Sequence, residues 1–242
     1  MTRSHAALGI THLIGNALLL WLGYAWLGMA EGNGLHLAGS AAVLLLFGLG
    51  ALWLHATALA FFAQAPKASF AAAARTALRR LPWLFALAVV VVFLYILLSY
   101  CYGAFDHTAF TIGSWLTMTL RKPVPPARVL TCYHAIIWIL RWIVIPALAL
   151  PVAAHLVSKA PRLFRRWPYW LAAGALLLLA VWVPLKLLDW IPRVSGFSAE
   201  AASFAARIGA GYLLFVAALL ALEFLTSAGK PRESQPNTAV SP

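Results

Sequence analysis

Six long apolar stretches divide this chain of 242 residues, and they limit its fold more than any other feature. An α-helix rises about 1.5 Å per residue, so about 20 apolar residues cross the hydrocarbon core of a bilayer. Inside lipid every backbone polar group needs a partner within the protein, which makes helices the expected structure of such stretches. The alternating pattern typical of a transmembrane barrel does not occur in the sequence. The predicted spans are about residues 8–29, 38–63, 82–104, 132–157, 169–191 and 204–226.

The composition favours a membrane protein over a water-soluble one. Of the 242 residues, 63% are hydrophobic and only 10% are charged, whereas soluble domains carry about 25% charged residues. So few charged side chains cannot supply the polar shell that a soluble fold of this size needs. We therefore predict an all-α fold, a polytopic membrane bundle of about six transmembrane helices with short amphipathic interfacial helices.

The net charge of +12 is explained by lipid rather than by nucleic acid. The Lys and Arg residues fall mostly in short loops beside the predicted spans, where positive charge sets topology and meets anionic head groups. We therefore expect membrane lipids as partners, with anionic head groups on the cytoplasmic side, and no nucleic acid.

Basic residues are distributed unequally between the two sides of the predicted bundle. Six spans place both termini, the second loop and the fourth loop on one side. That side carries eleven Lys and Arg residues: Arg3, Lys67, Arg75, Arg79, Arg80, Lys159, Arg162, Arg165, Arg166, Lys230 and Arg232. A basic excess is typical of the cytoplasmic face. The sequence therefore predicts a multi-pass protein of the bacterial inner membrane, with both termini cytoplasmic and a disordered tail at 227–242.

The loop before the third span predicts an amphipathic helix at about residues 68–81 that lies in the membrane interface. Phe70, Ala74, Leu78 and Leu81 share one face of this helix, and we expect the chain to turn at Pro82 into the span. Basic residues surround that face and recur before the fifth span, where we expect them to bind lipid phosphates. These are Arg75, Arg79, Arg80, Arg162, Arg165 and Arg166.

Two short segments repeat one arrangement of arginine, proline and aromatic residues. The sequence RRLPWL at 79–84 recurs as RRWPYW at 165–170, each time before an apolar span. Internal duplication and independent use of the same anchoring chemistry both explain the repeat. The segments resemble those of bacterial six-helix membrane proteins related to the transmembrane domain of glycerophosphodiester phosphodiesterases. The resemblance covers about residues 70–95 and 160–180. It implies the topology but no activity, because the acidic metal ligands of the catalytic domain are missing here.

The segment between the third and fourth spans is expected to cover the outer mouth of the bundle. Residues 107–121 are apolar but too few to cross a bilayer, so they predict an interfacial or re-entrant helix. Cys101 and Cys132 flank this segment on the side that faces an oxidising compartment. A disulfide between them would close the loop and stabilise the fold by about 3–4 kcal/mol. Two unpaired thiols are the alternative.

Seven histidines are many for so apolar a chain. His12, His55 and His155 fall in the inner halves of their predicted spans, so ligation of a b-type haem is one interpretation. The spacing argues against it, because His36 to His55 and His134 to His155 are each about 30 Å along a helix. We therefore predict no cofactor, with haem b as the alternative. No HExxH or paired-cysteine spacing occurs, so the sequence predicts no metal site.

Of the charged residues inside predicted spans, three are candidate site residues: Arg141, Asp189 and Glu223. A charge in a span is costly and is a candidate functional site for that reason. Arg141 lies in the outer half of the fourth span, however, where its long side chain can reach the interface. Asp189 is its expected partner, and we expect Glu223 to face basic residues of the inner loops.

No set of catalytic residues emerges from the sequence. We therefore expect a non-enzymatic scaffold or a subunit of a membrane assembly, bound to another membrane protein or to a second copy. A small-solute or lipid transporter is the alternative. It rests on Arg141 and on kinks predicted at Pro146, Pro151 and Pro184. A haem-containing redox subunit is the third interpretation.

Overall fold

The computed structural model describes residues 3–29, 32–64, 69–104, 106–159, 166–191 and 196–227. Within these ranges the chain forms seven helices and no strand. Six of them are long and apolar enough to cross a membrane, which confirms the predicted all-α bundle. The helices are α1 (Arg3–Leu27), α2 (Gly34–Gln64), α3 (Phe70–Ala104), α4 (Asp106–Leu120), α5 (Pro126–Ser158), α6 (Trp167–Asp189) and α7 (Phe197–Ser227).

The outside of the bundle is apolar on all six long helices. Large hydrophobic side chains are exposed on each of them, for example Leu18, Leu46, Phe93, Ile136, Leu171 and Leu213. Apolar surface of this extent is unfavourable in water but matches the hydrocarbon of a bilayer. The chain is therefore a multi-pass membrane protein. We call the end with Arg3, Gln64 and Ser227 the inner end, after its predicted orientation.

The inner half of the bundle packs through small side chains. Alanines of α2 and α3 are fully buried there, including Ala58, Ala60, Ala73 and Ala77, and they form a core with Phe61. Small residues let the helix backbones approach closely, which is how helices pack when lipid supplies no hydrophobic drive.

Helix α3 corrects the prediction of a separate interfacial helix that turns at Pro82. The segment from Phe70 runs into the third span as one helix, with Pro82 in its interior. The buried face there contains Ala73 and Ala77, whereas Leu78, predicted to lie on the apolar face, is exposed. The reason is that residues 70–81 pack on α2 and so continue the bundle inward.

Two widened π-helical turns interrupt α5 and α6, at Leu140–Val144 and Leu178–Trp182. Each ends two residues before a proline, Pro146 or Pro184. Proline lacks an N–H and its ring clashes with the carbonyl four residues back, so the preceding turn widens to relieve the clash. The predicted irregularities at these two prolines thus take the form of π turns. Pro151 lies within a regular helical stretch.

Helix α4 forms from the outer segment predicted as interfacial or re-entrant. It spans Asp106–Leu120 and contacts the start of α5, where a Cβ on Gly113 would lie 3.4 Å from Pro126 Cα. The backbone N–H of Val124 donates to Thr117 Oγ1 at 2.9 Å and closes the connection. Its depth in the membrane stays a prediction.

Candidate functional site

A trio of polar side chains meets inside the inner half of the bundle. His12 comes from α1, His55 from α2 and Glu223 from α7. His55 Nδ1 lies 2.5 Å from Glu223 Oε1, within hydrogen-bonding distance. The rings of His12 and His55 lie next to each other at an interplanar angle of 59°, with centroids 5.7 Å apart. One ligand atom from each of the three residues lies within 4.8 Å of the other two.

Two members of the trio are buried with polar atoms that lack partners. His12 is 0% exposed and Glu223 is 1% exposed. Neither ring nitrogen of His12 nor Glu223 Oε2 makes a hydrogen bond of ordinary geometry, although the His12 ring has a weaker hydrogen-bonding interaction with the backbone of Leu54. An unsatisfied buried polar group costs about 1–3 kcal/mol. Packing alone does not explain why such groups are kept in an apolar interior.

Close contact between α1 and α2 holds His12 against His55. A Cβ on Gly15 would lie 3.0 Å from the Leu54 side chain, so the glycine permits this approach. The Asn16 side-chain amide donates to the His12 carbonyl at 2.9 Å and is itself buried. The packing leaves little space for a macrocycle between the two histidines. The pair therefore suits a single small ligand better than the haem considered from the sequence.

The depth of each residue explains why the trio meets. His12 lies nine residues after the first residue of α1, and His55 lies nine residues before the last residue of α2. Since the two helices are antiparallel, both side chains sit about 14 Å from the inner end. Glu223 lies four residues before Ser227, the last described residue of α7. Matching depths along antiparallel spans are therefore a sequence signal for the two histidines, whereas the shallower count of Glu223 along α7 gives no such signal.

A cavity of about 350 Å³ borders the trio; we call it the central cavity. His55 and Glu223 line it together with Tyr95, and the rest of its wall is apolar and comes from α2, α3, α5, α6 and α7. On α3 it runs from Leu84 to Tyr95, about 16 Å along the helix. That is about half of the hydrocarbon thickness.

Arg141 is held in a second polar group nearer the outer end, and its predicted pairing with Asp189 is wrong. Its Nη2 donates to Ser99 Oγ at 2.8 Å, while Asp189 accepts from Lys186 on its own helix at 3.4 Å. Tyr95 donates to the Arg141 carbonyl at 2.7 Å. Only the Arg141 Nε is buried without a partner in this group. We call Tyr95, Ser99 and Arg141 the outer cluster.

The sequence suggested basic residues of the inner loops as partners of Glu223. Within the described part of the chain its ion-pair partner is instead His55, against which it lies buried. His155, the third histidine of the haem alternative, is exposed on α5 and lies outside the trio. Sequence reasoning assigned no metal and so missed that three ligand-type residues converge.

The predicted phosphate-binding arginines lie at the inner end where they are described. Arg75, Arg79 and Arg80 are exposed on α3, and Arg166 is exposed just before α6. Arg162 and Arg165 fall outside the described residues, as does the tail from 228 to 242. Binding of lipid phosphates stays a prediction.

Cys101 and Cys132 are free thiols in the structure, which matches the alternative of two unpaired thiols rather than the possible disulfide. The connection between α3 and α5 at this point is made by Tyr133, which donates to the Cys101 carbonyl at 2.5 Å. Next to it, His134 stacks on Tyr102 with ring centroids 4.2 Å apart and contacts Asp106 at 3.3 Å. Aromatic and hydrogen-bonding contacts thus join the helices at the place where a disulfide was one of the two alternatives.

No family model, curated protein or solved structure matches the chain. The resemblance to membrane domains of glycerophosphodiester phosphodiesterases therefore stays a prediction, and function has to be inferred from the geometry.

Proposed function

We propose that the chain is a permease-like membrane protein that binds an amphipathic, lipid-like molecule in the central cavity. The main observation in support of this function is the His55–Glu223 pair at one end of a long apolar cavity. Small-molecule sites are mostly apolar with a few polar groups that fix the orientation of the ligand. In this proposal the apolar wall takes the chain of the ligand, and His55 and Glu223 bind its head group.

The dimensions of the cavity support this function. A volume of about 350 Å³ falls within the range of ligand pockets, about 300–1,000 Å³. The cavity extends from the inner pair to Tyr95, whose hydroxyl is held by the Arg141 backbone. A ligand in it would therefore lie along the helices and span about half of the membrane.

The proposal places the protein in a bacterial inner membrane with both termini in the cytoplasm. An even number of spans puts both ends on the same side, and the excess of Lys and Arg favours the cytoplasm for that side. Exposed Arg75, Arg79 and Arg80 would then meet anionic head groups beside the inner end of the cavity.

Binding of a radiolabelled fatty acid tests the proposed function. The full-length protein in detergent should bind tritiated palmitate saturably. Ala149→Phe should weaken binding at least tenfold, because Ala149 lines the cavity. Leu148→Phe is the matched control, since Leu148 is exposed on the surface of the bundle. Binding that does not saturate, or that survives Ala149→Phe unchanged, would refute the proposal.

A subunit of a membrane assembly is the second candidate, and α4 is the observation that favours it. Its Ala109 and Gly113 are buried, while Phe110, Trp115 and Met118 are exposed. Such a face suits either the lipid interface or another membrane protein. Purification from native membranes followed by mass spectrometry separates these cases, because a subunit brings a stoichiometric partner with it.

A further inference from the structure

We propose that His12, His55 and Glu223 form a binding site for one divalent transition-metal ion, with Zn²⁺ as the best-fitting ion. The proposal rests on the trio alone and does not depend on the central cavity binding a lipid-like molecule. The three residues come from three different helices, so an ion bound here would join α1, α2 and α7.

The donor atoms match the chemistry of such ions. Two imidazole nitrogens and one carboxylate oxygen form a set that zinc proteins use, with bonds of about 2.0–2.2 Å. Ca²⁺ and Mg²⁺ prefer oxygen donors throughout, which disfavours them here. Imidazole nitrogen combined with carboxylate suits Zn²⁺ and its first-row neighbours.

The distances within the trio permit ligation after small side-chain movements. Tetrahedral bonds of that length place donor atoms about 3.3–3.5 Å apart. The His55 Nδ1 to Glu223 Oε1 distance of 2.5 Å is shorter than this, and all three donors lie within 4.8 Å of one another. An ion between them would displace the hydrogen-bonded proton and draw His12 inward by about 1 Å.

The atoms without partners point to a cation rather than to a proton relay. A proton shared between His55 and Glu223 satisfies one nitrogen and one oxygen. It leaves the buried His12 ring and Glu223 Oε2 without a hydrogen bond of ordinary geometry, as they are in the structure. A metal ion would bind His12 as well, and its charge would be balanced in part by the Glu223 carboxylate.

Three protein ligands leave one coordination position of a tetrahedral ion free. Zinc sites with three protein ligands use this position for water or substrate. His55 and Glu223 both line the central cavity, so a small molecule in the cavity has access to the ion through that position.

Metal titration of the purified full-length protein tests the site. After treatment with a chelator, the protein should bind one Zn²⁺ per chain in competition with a chromophoric chelator. His12→Ala and Glu223→Gln should each weaken binding at least 100-fold. His36→Ala is the matched control, because His36 is exposed near the outer end of α2, and it should leave the affinity unchanged. Equal affinity in all four proteins, or no binding by the wild type, would overturn the proposal.

The Co²⁺ spectrum of the wild type gives a readout that does not depend on how well any variant folds. The trio should produce the intense visible bands of four-coordinate Co²⁺ with nitrogen and oxygen ligands. The weak spectrum of six-coordinate Co²⁺ would contradict the site. Circular dichroism and size-exclusion chromatography identify variants that lose their fold, and for those the wild-type spectrum decides. Palmitate binding by the chelated protein tests the central cavity separately.

Discussion

The trio at the inner end and the outer cluster are both polar groups inside an apolar bundle, but their atoms are satisfied differently. In the outer cluster Tyr95 and Ser99 give partners to the Arg141 carbonyl and guanidinium. In the trio the His12 ring nitrogens and Glu223 Oε2 are buried without partners. Polar atoms that complete hydrogen bonds are explained by the fold, whereas buried polar atoms without such bonds need another explanation, of which a bound ion is one.

Proline explains why the outer cluster is structural. In the π turn of α5 the N–H of Ile145 donates to the Leu140 carbonyl. The same pattern assigns the Arg141 carbonyl to residue 146, a proline that has no N–H. Tyr95 supplies the missing donor. Tyr169 has the same role for the Ala147 carbonyl. The residue four positions later is Pro151, which has no N–H to donate, and the Tyr169 hydroxyl donates instead.

Arginine also completes backbone hydrogen bonds at the outer end. Arg207 donates to the carbonyls of Leu187, Leu188 and Trp190 at the end of α6. The last carbonyls of a helix have no partner within it, and a cation near them is favourable. Arg207 thus serves the fold, as the outer cluster does. The outer cluster leaves one buried atom without a hydrogen bond of ordinary geometry, Arg141 Nε, whereas the trio leaves three.

Replacement of His12 by leucine should have the largest effect and should separate the roles of the two regions. His12→Leu should abolish tight Zn²⁺ binding. It should also raise the free energy of unfolding of the metal-free protein by about 1 kcal/mol, because an apolar side chain replaces a buried ring whose nitrogens make no hydrogen bond of ordinary geometry. Thermal denaturation in chelator measures the second effect. A clear loss of stability would show that the ring serves packing.

Tyr169→Phe should lower the free energy of unfolding by about 1–2 kcal/mol, since the buried Ala147 carbonyl loses its donor. Pro151→Ala restores a backbone N–H four residues after Ala147. In the Pro151→Ala background, Tyr169→Phe should therefore lower the free energy of unfolding by less than half as much as it does in the wild type. A double-mutant cycle of unfolding measures this coupling, and additive losses would contradict the role assigned to proline.

Tyr95→Phe should have the smallest effect, about 0.5–1 kcal/mol, because Tyr95 is partly exposed and water or lipid head groups can replace its hydroxyl. Zn²⁺ affinity should not change, since the outer cluster contributes no ligand. The same titration and unfolding assays report both quantities. A change in Zn²⁺ affinity of more than tenfold would mean that the two regions are coupled through the central cavity.

The spans could be predicted from the sequence because a helix that crosses lipid needs about 20 apolar residues in a row, and such runs are visible in the sequence. Their ends were harder to place. Helix α5 begins at Pro126, six residues before the predicted start, and α3 begins at Phe70 rather than turning at Pro82. Packing between helices extends both beyond their apolar segments, and apolarity alone does not report packing.

The trio cannot be assembled from the sequence, although each member is a histidine or an acid inside a predicted span. His55 and Glu223 are 168 residues apart, so their contact depends on how each helix is rotated about its axis. A span that is apolar all round carries no amphipathic stripe from which that rotation can be read. The sequence predicts how far along its span each residue lies, but not which side of the helix faces the neighbouring helices. The same limit produced the wrong pairing of Arg141 with Asp189.

The change in thermal midpoint when Zn²⁺ is added to chelated protein tests the central claim most directly. A ligand that binds only the folded state raises the midpoint. Wild type and Arg141→Leu should show the same rise of several degrees, and His12→Leu should show none. A rise in His12→Leu equal to that of the wild type, or no rise in the wild type, would contradict the assignment of the trio as the ligand site.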